Sequence, residues 1–87
     1  MEKRIGTILI LVRDRSASQT LNSTISKYSN IIIGRQGLPM KSDKYGLISL
    51  VLDGTTDEIG ALSGQLGRIS GISLKSVLLK VQENDLI

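Results

Sequence analysis

The chain contains no cysteine, histidine, tryptophan or phenylalanine, and only two tyrosines and one proline. Each absence excludes something. Without cysteine there can be no disulfide, thiol nucleophile or thiolate ligand, and this usage fits a reducing, cytoplasmic setting. Without histidine as well, metal sites of the soft or imidazole type have no ligands. Only oxygen donors remain, and the eight Asp and Glu residues do not fall at calcium-loop spacing, so neither metal nor cofactor is expected. The usual catalytic groups are missing too. There is no His base, no Gly-x-Ser-x-Gly elbow and no P-loop, and the chain reads as a non-enzyme.

What is present is aliphatic. Eighty-seven residues, 40% of them hydrophobic, make one domain with a core built from Ile, Leu and Val. The net charge of +3 is scattered. Its densest group, Arg13-Asp14-Arg15, carries its own counter-charge, so the excess reads as solvation and not as the basic stripe of a nucleic-acid binder. The apolar run Ile5–Val12 behind Met1-Glu2-Lys3-Arg4 is short and lacks a small-residue cleavage site, which favours a buried strand over a signal peptide. No segment reaches membrane-spanning length.

The patterning predicts strand, helix, strand, strand, helix, strand. Ile5–Val12 is largely β-branched and almost continuously apolar, as a central strand is. Arg15 or Ser16 opens a helix with Ala17, Leu21, Ile25 and Tyr28 at helical spacing, ending near Ser29-Asn30. Ile31–Ile33 is expected as a short edge strand, closed by Gly34-Arg35-Gln36-Gly37-Leu38-Pro39 because Pro cannot donate to a ladder. Leu47–Leu52 is the third strand, with Asp53-Gly54 turning the chain. Thr55 and Glu58 form a capping-box signature for a second helix striped by Ile59, Leu62, Leu66 and Ile69 and stopped by Gly71. Ile72–Val81 is the fourth strand. Residues 1–3 and 83–87 are expected as frayed ends of a single domain spanning 1–87.

This order at this length specifies an α+β, ferredoxin-like βαββαβ sandwich, with a four-stranded antiparallel sheet. Right-handed crossovers place both helices on one face. Yet Ile5, Leu9 and Leu11 alternate with Ile8, Ile10 and Val12, and Leu47 and Val51 alternate with Ile48, Leu50 and Leu52. A solvated face alternates to polar residues. Two helices cannot cover both faces and the short tail cannot cover the second, so a homo-oligomer through the open sheet face is expected.

Three groups are candidate ligand contacts. Arg13, Asp14 and Ser16 lie beyond a strand end at a helix start, where anions bind, although an ordinary N-cap explains them as well. Gly34, Arg35 and Gly37 could offer backbone N–H groups and a guanidinium to an anion, against the simpler reading of a bulge and turn. Asp57, Gly60 and Gly64 lie on the second helix. There Gly60, Gly64 and Gly67 share a side nearly opposite the apolar stripe at about 100° per residue, at a cost of roughly 1 kcal/mol each relative to Ala. Such a stripe lets another backbone or a ligand approach closely, or is drift on a solvent face.

Other uses of this fold fit poorly. The loop after the first strand has too little glycine for an acylphosphatase, the sheet lacks the aromatics of an RNA-recognition motif, and a metallochaperone needs paired Cys.

Asn22, Ile33-Gly34-Arg35-x-Gly37-x-Pro39, Leu52-Asp53-Gly54-Thr55-Thr56-Asp57-Glu58-Ile59-x-Ala61-Leu62-Ser63-Gly64-x-Leu66-Gly67 and Gly71-Ile72-x-Leu74-Lys75 resemble the iron-only hydrogenase system regulators, a family of small ACT-like proteins. The resemblance runs through most of the chain. It implies an ACT-like fold related to the C-terminal domain of nickel-responsive repressors, and a regulatory role with a small-molecule effector or a hydrogenase-system protein as partner. Those repressors bind nickel through His and Cys, which this chain lacks, so nickel sensing does not carry over. Eighty-seven residues also leave no room for a separate DNA-binding domain.

Overall fold

A computed structural model of the chain describes residues 2–40 and 44–81. Strand β1 (Lys3–Val12) leads through a short 3-10 turn (Arg15–Ala17) into α1 (Ser18–Lys27). Then come β2 (Ile32–Leu38), β3 (Gly46–Thr55), α2 (Thr56–Gly67) and β4 (Ile72–Lys80). The four strands form one antiparallel sheet in the order β2-β3-β1-β4. The two central strands are the most apolar, and the strand closed by Pro39 lies at an edge, as the sequence requires.

Both helices pack on the same side. Ile8 and Ile10 of β1 and Leu50 and Leu52 of β3 are fully buried beneath Leu21 and Ile25 of α1 and Ile59, Leu62 and Leu66 of α2. Burying one such side chain contributes about 1.5–3 kcal/mol, so this layer holds the domain together. Tyr28 and Ile69 pack at its margin. The second helix begins as its capping box dictates. Thr55 accepts from the Glu58 N–H at 3.1 Å, and Glu58 accepts from the Thr55 N–H at 2.9 Å.

Three sequence expectations are corrected. Asp53-Gly54 does not turn the chain: β3 continues through Thr55, with Asp53 opposite Ile5 and Gly54 opposite Arg4. Gly54 serves close packing instead, because a Cβ there would sit 3.1 Å from Ile31 Cγ2 and 3.3 Å from Glu58 Oε1. Second, Gly34–Leu38 is not the turn closing a three-residue strand. It is most of β2, which starts at Ile32 and carries a register shift between Ile32 and Gly34. An edge position tolerates glycine and a bulge that a central strand would not. Third, α2 ends at Gly67, and Gly71 lies in the short turn just before β4. Gly71 has φ +90°, and a Cβ there would stand 2.8 Å from Asp14 Cβ, so only glycine fits without strain. At the N-terminus β1 already pairs at Lys3, opposite Thr55. The expected fraying of 83–87 lies outside the described residues.

Candidate functional site

The three groups singled out from sequence do not converge. Arg13, Asp14 and Ser16 follow the end of β1. Asp57 opens α2 next to Thr55, which pairs with the opposite end of β1. Gly34, Arg35 and Gly37 lie along the β2 edge.

Within the first group, most polar capacity is spent internally. Asp14 Oδ1 accepts from the Ser16 N–H at 2.9 Å and from Ser16 Oγ at 2.8 Å, capping the helical segment. The backbone N–H bond from Ser16, then its hydroxyl, hold the Asp14 carboxyl below the ordinary carboxylate range. Arg13 Nε donates to Ser73 Oγ at 2.8 Å, and the backbone N–H groups of Arg13 and Asp14 donate to the Gly71 carbonyl at 2.8 and 3.1 Å. This knot fastens the start of β4 to the end of β1. Asp14 and Ser16 also border an open groove of about 730 Å³ between α1 and α2, into whose walls Thr20, Lys27, Gln65 and Arg68 contribute.

In the second group, Arg35 Nη2 donates to Asn22 Oδ1 at 2.5 Å and ties β2 to α1. Sequence reading quoted both residues without joining them, since no local spacing links a helix residue to an edge strand. Gly37 lies in the wall of a hollow of about 350 Å³ with Arg15, Ser18 and Tyr45, at the shared ends of β1 and β2. In the third group, a Cβ at Gly60, Gly64 or Gly67 meets nothing within 4 Å. The outer face of α2 is open to solvent or to a partner. Among the described residues, no three His, Cys, Asp or Glu gather to hold a metal ion, and no helix is long and apolar enough to cross a membrane.

The sheet face away from the helices is largely aliphatic. Leu9 is 48% exposed, Val51 39%, Val77 61% and Leu79 63%. Thr7, in their midst, donates its hydroxyl to the Leu50 carbonyl at 2.9 Å. Two shallow depressions run along this face. One, of about 200 Å³, lies among Ile5, Val51, Val77 and Leu79. The other, of about 310 Å³, lies among Leu9, Leu11, Leu47 and Lys75. The Lys3–Asp53 ion pair at 3.2 Å borders one end. Sequence reading found the β1 and β3 side of this surface but not Val77 and Leu79, whose signal was a run of apolar residues within an expected strand.

A four-stranded antiparallel sheet in this order, with two helices on one face, defines a ferredoxin-like, ACT-like domain. The ACT domain of the GTP pyrophosphokinase of Chlorobium tepidum superposes with a TM-score of 0.69 over 84% of this chain and 96% of its own, at 18% identity. The C-terminal domain of the MgtC protein of Mycobacterium tuberculosis superposes at 0.67 over 88% of each chain, at 13% identity. Within that class the chain belongs to the TM1266-like family of iron-only hydrogenase system regulators, whose model matches residues 4–76. Protein TM1266 of Thermotoga maritima is 42% identical, with a TM-score of 0.84 over 91% of this chain and all of its own. No curated protein matches the chain.

Proposed function

We propose that this chain is a non-enzymatic regulatory module of the iron-only hydrogenase system, working as a homo-oligomer whose subunits meet through the open sheet face. A small-molecule effector or a partner protein then binds at the inter-subunit surface. The observation that carries this reading is the aliphatic face itself. Four of its residues stand well exposed, and Thr7 withdraws its hydroxyl from it. A surface of that size and kind marks an interaction site. The family's description as a regulator supplies the setting. For the effector, the hollow at the β1 and β2 ends brings Arg15, Ser18 and Tyr45 around an aliphatic floor, and Gly37 keeps its wall free of a side chain.

A second reading, a scaffold for hydrogenase maturation with no small ligand, is favoured by one observation. Arg13, Ser16 and Arg35 each already have a partner within the chain. Thermal-shift and calorimetric titration against amino acids, nucleotides and oxoanions separate the two. A saturable shift that Gly37→Leu abolishes supports the effector site. No shift with any class, together with a stoichiometric protein partner recovered from hydrogenase-producing cells, supports the scaffold.

A further inference from the structure

Charges that are scattered along the chain gather at one end of the fold. The end of β1 and the starts of β3 and β4 lie side by side, with Val12 opposite both Gly46 and Ile72. Arg13 and Arg15 follow β1, Lys44 precedes β3, and Arg68 stands at the end of α2 beside Asp14 and Ser16. All four cations are exposed, and Asp14 is the one carboxylate among the described residues there. At the opposite end, Glu2, Asp53, Asp57 and Glu58 balance Lys3, Arg4, Lys27 and Lys80. The groove between α1 and α2 opens at the basic end, where Arg68 and Ser70 border it, and runs along the helices to Lys27. The side chains of Lys27 and Arg68 are exposed and make no hydrogen bond or ion pair among the described residues. Asp14 is already engaged by its two bonds from Ser16. Gln65 Nε2 donates to the Tyr28 hydroxyl at 2.8 Å and braces the α2 wall against the end of α1. A cleft bordered by charges of one sign concentrates ligands of the other.

We propose that this groove docks an acidic peptide segment of a partner protein, laid extended between the two helices with its carboxylates toward Arg68 and Lys27. Size and lining select this occupant. The groove, of about 730 Å³ and open along its length, is too large for a single oxoanion. Helix α1 has ten residues, about 15 Å, a span that roughly five residues of extended peptide cover. None of the lining residues is aromatic, so nothing there stacks a base as single-strand nucleic-acid binders do. Thr20 and Ser70 are of the type that hydrogen-bonds a peptide backbone, and only Ala17 and Ile69 are apolar. Affinity therefore comes from exposed charge, which makes it modest and sensitive to salt. The groove lies on the helix face, away from the open sheet face. One subunit is enough to form it, and its failure would leave the sheet-face assembly untouched.

The test titrates the full chain into fluorescein-labelled hexaglutamate and reads fluorescence anisotropy, at about 20 mM and about 200 mM salt. Saturable binding is expected, weaker at the higher salt. Arg68→Gln and Lys27→Gln should each weaken it about two- to fivefold, the worth of one exposed charge pair. Asp14→Asn removes the one negative charge beside the groove and should tighten it. Lys80→Gln makes the same charge change at the far end of β4 and should leave it unaltered. No saturable binding, or an equal loss from Lys80→Gln, overturns the proposal. Labelled hexathymidylate bound as tightly as hexaglutamate overturns the assignment to a peptide. A second arm maps the site without altering charge. Because the chain has no cysteine, Thr20→Cys carries the sole thiol, and a bulky maleimide placed on it fills the groove. That should abolish hexaglutamate binding, whereas the same cap on Ser76→Cys, on β4, should not. Both positions are exposed, so the fold accepts either cap. Binding undiminished by the Thr20 cap overturns the groove as the site.

Discussion

The two faces of the central strands are made of the same material and meet different fates. Along β1, Ile8, Ile10 and Val12 face the helices and Ile5, Leu9 and Leu11 face away. Along β3, Leu50 and Leu52 face the helices and Leu47 and Val51 face away. The first set is sealed within one subunit, whereas Leu9 and Val51 remain substantially exposed. An apolar residue on a strand therefore does not report by itself which face the helices cover. In this chain the helix face supplies the stability of the domain, and the open face is free to supply association.

Substitutions on the two faces should separate these roles. Leu50→Ala, beneath both helices, should cost about 2–5 kcal/mol through lost burial and a residual cavity, read from urea unfolding. Leu9→Ala should cost the dilute subunit less than about 1 kcal/mol, because half of that side chain is already in water. Equal costs would mean that the open face is covered within the subunit, and the contrast would fail. Next in size comes Gly71→Ala. Its left-handed backbone disfavours a side chain by about 1–2 kcal/mol, and the crowding against Asp14 adds to that. This loss of about 2 kcal/mol should appear as a lower thermal midpoint, with early hydrogen exchange at the start of β4. Thr55→Ala removes the cap that sets α2 over the helix face, for about 1 kcal/mol, again in the unfolding midpoint.

Smaller effects test the outer surfaces. Gly60→Ala and Gly64→Ala place methyl groups in open space and should each stabilise the subunit by up to about 1 kcal/mol. A variant that gains subunit stability and loses assembly would mark the outer face of α2 as a further contact. The smallest effect concerns acid. Asp14 has its carboxyl pKa lowered in the folded chain by the Ser16 bonds. The stability it contributes is therefore complete above its unfolded pKa, and is lost as pH falls from about 4 through the lower folded value. The group is exposed, so the drop is small. Asp14→Asn retains the cap without the charge and should flatten this segment of the pH profile.

Much of the fold was legible because its signals are local. A nearly continuous apolar, β-branched run marked β1, helical spacing marked Leu21, Ile25, Ile59, Leu62 and Leu66, and the Thr55–Glu58 spacing marked the start of α2. The errors fell on glycines. Gly54 and Gly34 resemble turn residues in sequence. In the fold, one makes room for Ile31 and the other sits in a bulged edge strand, roles set by neighbours distant in the chain. The candidate ligand residues were less legible for the same reason. Arg13 bonds Ser73, 60 residues away, and Arg35 bonds Asn22, 13 residues away. Groups that looked available as a site are partly engaged in holding the sheet and helices together. Composition alone did indicate the open aliphatic surface, because too many apolar residues alternate on both sides of strands that two helices cover on one side only.

The measurement that bears most directly on the central claim is sedimentation velocity of the unmodified chain across micromolar concentrations, beside a Leu9→Lys, Val51→Lys double variant. The open-face account expects a dimer or larger assembly for the former and a smaller species for the latter, with the helix-face core intact by circular dichroism. A monomer at every concentration, or an assembly unchanged by the two lysines, would contradict it.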